Sequence, residues 1–134
     1  MTKLIDVEGI GEAYAKKLEA AGLTSLEDFL NKAVSPKDRK TIAEQAGISE
    51  TLILKWANRA DLARIKGVGS EYADLLEAAG VDTVPELAQR KAENLLEKME
   101  AVNQEKKLVR RMPVLSMVSD WVEQAKKLPR VLKY

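Results

Sequence analysis

The chain repeats itself. Val7-Glu8-Gly9-Ile10-Gly11-Glu12-Ala13-Tyr14-Ala15-Lys16-Lys17-Leu18-Glu19-Ala20-Ala21-Gly22 returns 58 residues later as Ile65-Lys66-Gly67-Val68-Gly69-Ser70-Glu71-Tyr72-Ala73-Asp74-Leu75-Leu76-Glu77-Ala78-Ala79-Gly80. Both glycines, the tyrosine, a leucine and the closing Ala-Ala-Gly fall in step, and an internal duplication is the simplest source of such a match. Each copy runs from a Gly-apolar-Gly turn into a helical pattern. Tyr72, Ala73, Leu76 and Ala79 recur at spacings of three and four and share one helical face, and Gly80 is placed to end that helix in the left-handed region. A glycine turn opening directly into a helix leaves the first N–H groups of that helix uncovered, with the positive end of its dipole behind them. That is an arrangement able to hold a phosphate.

The rest of the chain reads as further helices. Thr24-Ser25-Leu26-Glu27 has the form of a capping box before the apolar stripe Leu26, Phe29, Leu30 and Ala33. Ser35-Pro36 starts a third helix, with Pro at its first position. Ser49 caps a fourth that buries Leu52, Ile53, Trp56, Ala57 and Ala60, and Asp61–Ile65 reads as one more short turn of helix. In the second half Thr83 or Asp82 caps a short helix, a long run follows from about Ala92 to Arg110 with a bend near Asn103, and Met112-Pro113 breaks it. The last helix covers about Ser116 to Leu128. Trp56 and Trp121 are core residues at equivalent places in the two halves. No alternation of period two persists anywhere, so the chain is all-α, with domains expected at 1–62 and 63–134.

Composition narrows the chemistry. The 134 residues contain neither Cys nor His. Disulfides, thiolate metal sites, zinc fingers, Ser-His-Asp triads and Cys-His dyads are thereby excluded, and no catalytic role is expected. No stretch approaches the ~18 apolar residues that span a bilayer, and no leader pattern opens the chain, so a cytoplasmic protein is expected, with no membrane and no small-molecule substrate. The net charge of +1 is unevenly spread: residues 103–134 hold eight Lys/Arg against three Asp/Glu, while 1–102 hold fourteen against eighteen. A basic C-terminal third suits a polyanionic partner.

Apolar-x-Gly-apolar-Gly followed by a helix with a small residue near its start resembles the helix-hairpin-helix superfamily. The Tyr-Ala-x-Leu-Leu-Glu-Ala-Ala-Gly-Val-Asp-Thr-Val stretch and Lys107-Leu108-Val109-Arg110-Arg111 resemble, more closely, an uncharacterised bacterial domain-of-unknown-function family with tandem helix-hairpin-helix domains. The resemblance implies an all-α fold of two tandem duplicated five-helix (SAM-like) units packed together. It also implies sequence-independent binding of DNA or structured nucleic acid by its phosphates, sometimes with a monovalent cation on the hairpin carbonyls. Carried onto this chain, Gly67, Val68 and Gly69 supply N–H groups, Ser70 a hydroxyl, and Arg64 and Lys66 charge. Gly9, Ile10 and Gly11 form a weaker copy, because Glu8 and Glu12 stand where a phosphate would approach.

Lys106, Lys107, Arg110 and Arg111 lie one turn apart and add a basic segment to the second turn. Thr41 to Trp56 also resembles a helix-turn-helix, which would present Ser49, Glu50, Lys55, Asn58 and Arg59 to a major groove. The competing reading is a protein-interaction module in which the glycine turns serve structure alone.

Overall fold

A computed structural model describes residues 3–7 and 9–134. A 3-10 turn at Leu4–Asp6 precedes eight α-helices among these residues: α1 (Glu12–Ala20), α2 (Leu26–Lys32), α3 (Pro36–Ala46), α4 (Glu50–Leu62), α5 (Ser70–Ala78), α6 (Val84–Ala88), α7 (Ala92–Lys106) and α8 (Leu115–Lys127). Side-chain caps set several of the starts. Ser25 Oγ accepts from Asp28 N at 3.1 Å, Ser35 Oγ from Asp38 N at 3.1 Å and Ser49 Oγ from Leu52 N at 3.3 Å. Thr83 Oγ1 accepts from Glu86 N at 3.4 Å. Each bond occupies an amide that the helix itself leaves without a partner.

The all-α expectation stands, but two five-helix units would need ten helices and there are eight among the described residues. Two local events depart from the sequence reading. Asp61 and Leu62 belong to α4, and the chain then turns, with Ile65 N donating to Leu62 O at 3.1 Å, so no separate helix forms over 61–65. In the second half the long run stops at Lys106 because Lys107 takes the left-handed conformation (φ 50°) as its C-cap. Asn103 then turns its amide on the returning chain: its Nδ2 donates to Val109 O at 3.2 Å, and its Oδ1 accepts from Val109 N at 3.0 Å. Residues 107–110 therefore form a loop rather than more helix.

The chain divides into two compact units. One comprises Met1–Asp61 and Val131–Tyr134, the other Leu62–Arg130. In the first, Leu18, Phe29, Ala33, Ile53, Trp56 and Ala57 lie at the centre of the core. Residues 131–134 complete it. Leu132 is buried there, Lys133 N donates to Val34 O at 2.8 Å, and Tyr134 Oη donates to Asn58 Oδ1 at 2.7 Å. Arg39 holds this segment: its Nη1 donates to Ala33 O and Val34 O at 2.9 Å each, its Nη2 donates to Lys133 O at 2.7 Å, and its guanidinium lies over the Tyr134 ring.

In the second unit Leu75, Leu76, Ala79, Val81, Leu87, Met99, Val118 and Trp121 form the core. Bonds at matching positions recur in the two units. Lys32 Nζ donates to Gly22 O at 2.9 Å and lies 3.4 Å from Asp28, and Arg90 Nη2 donates to Gly80 O at 3.2 Å and to Glu86 at 3.0 Å. In both, a cation ten residues on covers the carbonyl just past the helix that follows the glycine turn, where the helix dipole favours positive charge.

The glycine turns rest on the tryptophans. Tyr14 and Trp56 have ring centroids 5.1 Å apart, and Tyr72 and Trp121 5.3 Å. Gly9 and Gly67 have φ of +92° and +96°, and a Cβ at these positions would lie 3.6 Å from Trp56 Nε1 and 3.0 Å from Trp121 Nε1. Both glycines are needed for backbone conformation, and Gly67 is needed for room as well. Gly9→Ala is expected to cost about 1–3 kcal/mol from the left-handed backbone alone. Gly67→Ala should cost more, because the indole must also shift. Urea denaturation followed by circular dichroism should place the midpoint of G67A below that of G9A, and both below the parent.

Candidate functional site

The second glycine turn is held by α8. Gln124 reaches across to Lys66, its Oε1 accepting from Lys66 N at 2.9 Å and its Nε2 donating to Lys66 O at 3.0 Å. The same Nε2 donates to Asp120 Oδ2 at 2.8 Å, which fixes the amide's orientation. Val68 is buried and its N–H points inward to Ile65 O at 3.3 Å, so it is not among the groups offered outward. Gly67 and Gly69 are exposed. Among the described residues their N–H groups have no acceptor, whereas the carbonyls of Ile65 and Lys66 each already accept a hydrogen bond.

Gly69 is the N-cap of α5 and has no side chain with which to cap it. The first turn of α5 thus lacks the hydroxyl that Ser25, Ser35 and Thr83 give to α2, α3 and α6. The Ser70 side chain lies outside the described residues. Of the two cations assigned to this turn, Lys66 is exposed, while Arg64 is half-buried and donates from Nη2 to Pro129 O at 2.6 Å. Arg64 therefore ties the turn to the end of α8.

The basic segment reaches the same place by a different route. In the first unit α3 and α4 are joined by the three residues Gly47–Ser49, and in the second α7 and α8 by the eight residues Lys107–Val114. The longer connection carries Lys107, Arg110 and Arg111, all exposed, and Lys106 ends the helix before it. Asn103 braces one end of this loop through Val109. Tyr72, in the first turn of α5, braces the other: its Oη donates to Arg111 O at 3.1 Å. That bond brings the basic loop to the N-terminal turn of α5, beside Gly67–Gly69. The segment and the helix that follows the turn, separate in sequence, are thus tied together within one unit.

The first turn differs. Ile10 is buried and donates from its N–H to Val7 O at 2.9 Å, and Gly11 caps α1 without a side chain. Glu12, in the first turn of α1, pairs with Lys16 at 3.3 Å, both side chains being well exposed. Glu8 lies outside the described residues. Of the residues named for a helix-turn-helix, Arg59 is buried and Asn58 accepts the Tyr134 hydroxyl, while Ser49, Glu50 and Lys55 are exposed. No group of three or more His, Cys, Asp or Glu side chains able to hold a metal occurs among the described residues, and no helix among them is long and apolar enough to cross a membrane.

A family model for a domain of unknown function, DUF4332, matches residues 8–128. The chain belongs to the DUF4332 family. The match takes in both glycine turns, the Tyr–Trp pairs and the α7–α8 loop, so the candidate site lies wholly inside the DUF4332 domain. Comparison with curated proteins and with solved structures found no match.

Two contributors were missed in the sequence: Gln124 and Asp120. Nothing local marks Gln124, since its partner is a backbone 58 residues away. Asn103 could have been found, because an Asn at a suspected helix bend is a residue that competes for backbone groups. Asn103→Ala should cost about 1–3 kcal/mol by leaving the buried Val109 N–H without its acceptor. Tyr72→Phe should cost only about 0.5–1.5 kcal/mol. Hydrogen exchange should show faster exchange within residues 107–111 in both variants, with α5 protection retained in Tyr72→Phe.

Proposed function

We propose that this chain is a non-enzymatic binding module for DNA or structured nucleic acid, gripping the phosphate backbone through its second unit. The observation that carries the reading is the Tyr72–Arg111 bond, which ties the loop bearing Arg110 and Arg111 to the helix that follows the glycine turn, a helix with no side-chain cap. A phosphate placed there meets the N–H groups of Gly67 and Gly69, the positive end of the α5 dipole, and the exposed charges of Lys66, Arg110 and Arg111. Lys106 and Lys107 extend the basic face along the backbone. The helix-hairpin-helix resemblance of the sequence supports the same ligand. None of these contacts reads a base edge, so binding is weak, salt-dependent and indifferent to sequence. A reducing cytoplasm suits a chain without cysteine.

The turn of the first unit has Glu12 paired with Lys16 in place of free positive charge, which leaves little to attract a polyanion. The second reading, a scaffold for protein partners, rests on the other use of the glycines: Gly9 and Gly67 both have positive φ, and at Gly67 the Trp121 indole also leaves little room for a side chain.

Mixed-sequence duplexes titrated at low salt should bind with a log–log salt slope of about −0.9 per phosphate contacted. The triple variant K66E/R110E/R111E changes exposed residues alone. It should keep its helicity and lose at least about tenfold in affinity, with a shallower salt slope. An unchanged affinity in that variant, or no binding by the parent chain, would hand the assignment to the scaffold.

A further inference from the structure

Beside the cations of the α7–α8 loop stands a pair of apolar side chains that neither the core nor a phosphate explains. Val114, the N-cap of α8, is 57% exposed, and Leu115, its first residue, is 42% exposed. They follow Arg110 and Arg111 by three to five residues, on the loop that Asn103 and Tyr72 hold in place. Their neighbours on the same connection turn inward: Val109 and Pro113 are buried, and Leu108 and Met112 pack against the core of the unit. The loop thus has apolar residues enough to bury itself and still leaves two adjacent ones in water. Among the described residues the only other large exposed apolar side chains are Ile5 and Tyr134, both in the first unit.

A duplex seen from its phosphates presents nothing for such a pair to touch. An anion that also carries flat apolar faces does. Cations spaced along a backbone, with aliphatic side chains next to them, fit a nucleic acid whose base stack is open, because each base at an interruption exposes an apolar face within reach of its own phosphates. Inserting aliphatic side chains into an intact stack costs a few kcal/mol of unstacking, and at a gap that cost is already met.

We infer that Val114 and Leu115 form a contact for an exposed base face, so that the second unit prefers nucleic acid with an interrupted stack over continuous duplex. The inference rests on the backbone-binding reading above and adds the class of ligand. Arg110 and Arg111 hold the phosphates flanking the interruption, while Val114 and Leu115 cover the base that has lost its neighbour. The basic charge selects an anionic ligand, and the apolar pair selects among anionic ligands.

The test compares the full chain with V114S/L115S by fluorescence polarisation. The probes are one labelled duplex of mixed sequence and the same duplex with a single-nucleotide gap. Both substitutions are at exposed positions, and circular dichroism checks that the fold is kept. The parent should bind the gapped probe about tenfold more tightly than the continuous one, and V114S/L115S should lose that preference while binding the continuous duplex as before. Equal affinity for the two probes, unchanged by V114S/L115S, overturns this inference and leaves the backbone reading standing. No binding to either probe overturns both. Retention on phosphatidylserine vesicles, abolished in V114S/L115S and without any preference for the gap, would assign the pair to a lipid surface and likewise overturn it.

Discussion

An indole under a glycine is the contact on which each unit depends. Trp56 and Trp121 are carried by the last helix of their units, and each is buried against the tyrosine of the helix that follows the glycine turn. That contact ties the final helix to the first and sets the height of the turn above the core. It also settles what the tyrosine ring can do. The ring of Tyr72 is committed to Trp121, so its hydroxyl is delivered to the rim of the unit, where it meets Arg111 O. A packing requirement thereby positions the basic loop.

The two units show how similar turns acquire different surfaces. Both follow Gly-apolar-Gly with an uncapped helix. One then offers an ion pair between Glu12 and Lys16, and its tyrosine ring is approached by Lys17 at 5.9 Å. The other offers a loop of eight residues in place of three, with cations along it. At the exposed Glu12–Lys16 pair, opposite charges largely cancel and water screens what remains. The eight loop residues include no carboxylate, and Asp120 beside the turn is engaged by Gln124, while Glu71 stands exposed in the first turn of α5. The electrostatic contrast follows from the length of one connection.

What the sequence revealed and what it concealed divide along a physical line. The helical character of the chain, the caps at Ser35, Ser49 and Thr83, and the burial of both tryptophans depend on residues a few positions apart, and periodicity and capping rules reach that far. The box read at Thr24 and Glu27 is displaced by one residue, to Ser25 and Asp28. The helix count depended on choices that local propensity leaves open. Residues 61–65 could end one helix or make another, and the run beyond Asn103 could continue or fold back. Asn103 decided the second by bonding both backbone groups of Val109. The site was half legible. Its glycines and cations were in plain view, whereas the clasp of Gln124 on Lys66, the inward amide of Val68 and the anchoring of Arg64 to Pro129 are side-chain and backbone pairings that only the folded chain brings together.

Residues 131–134 give the topology a further meaning. They fill a slot in the first unit, yet they come after the whole of the second in the sequence, with 94 positions between Arg39 and the Lys133 carbonyl it holds. As the chain leaves the ribosome, the first unit must wait, incomplete at the Leu132 position, while the second emerges and folds. Closing it then joins two stretches already shortened by a compact insert, so the entropy lost is that of a much smaller loop. The first unit, begun earliest, is in this light the last to be completed.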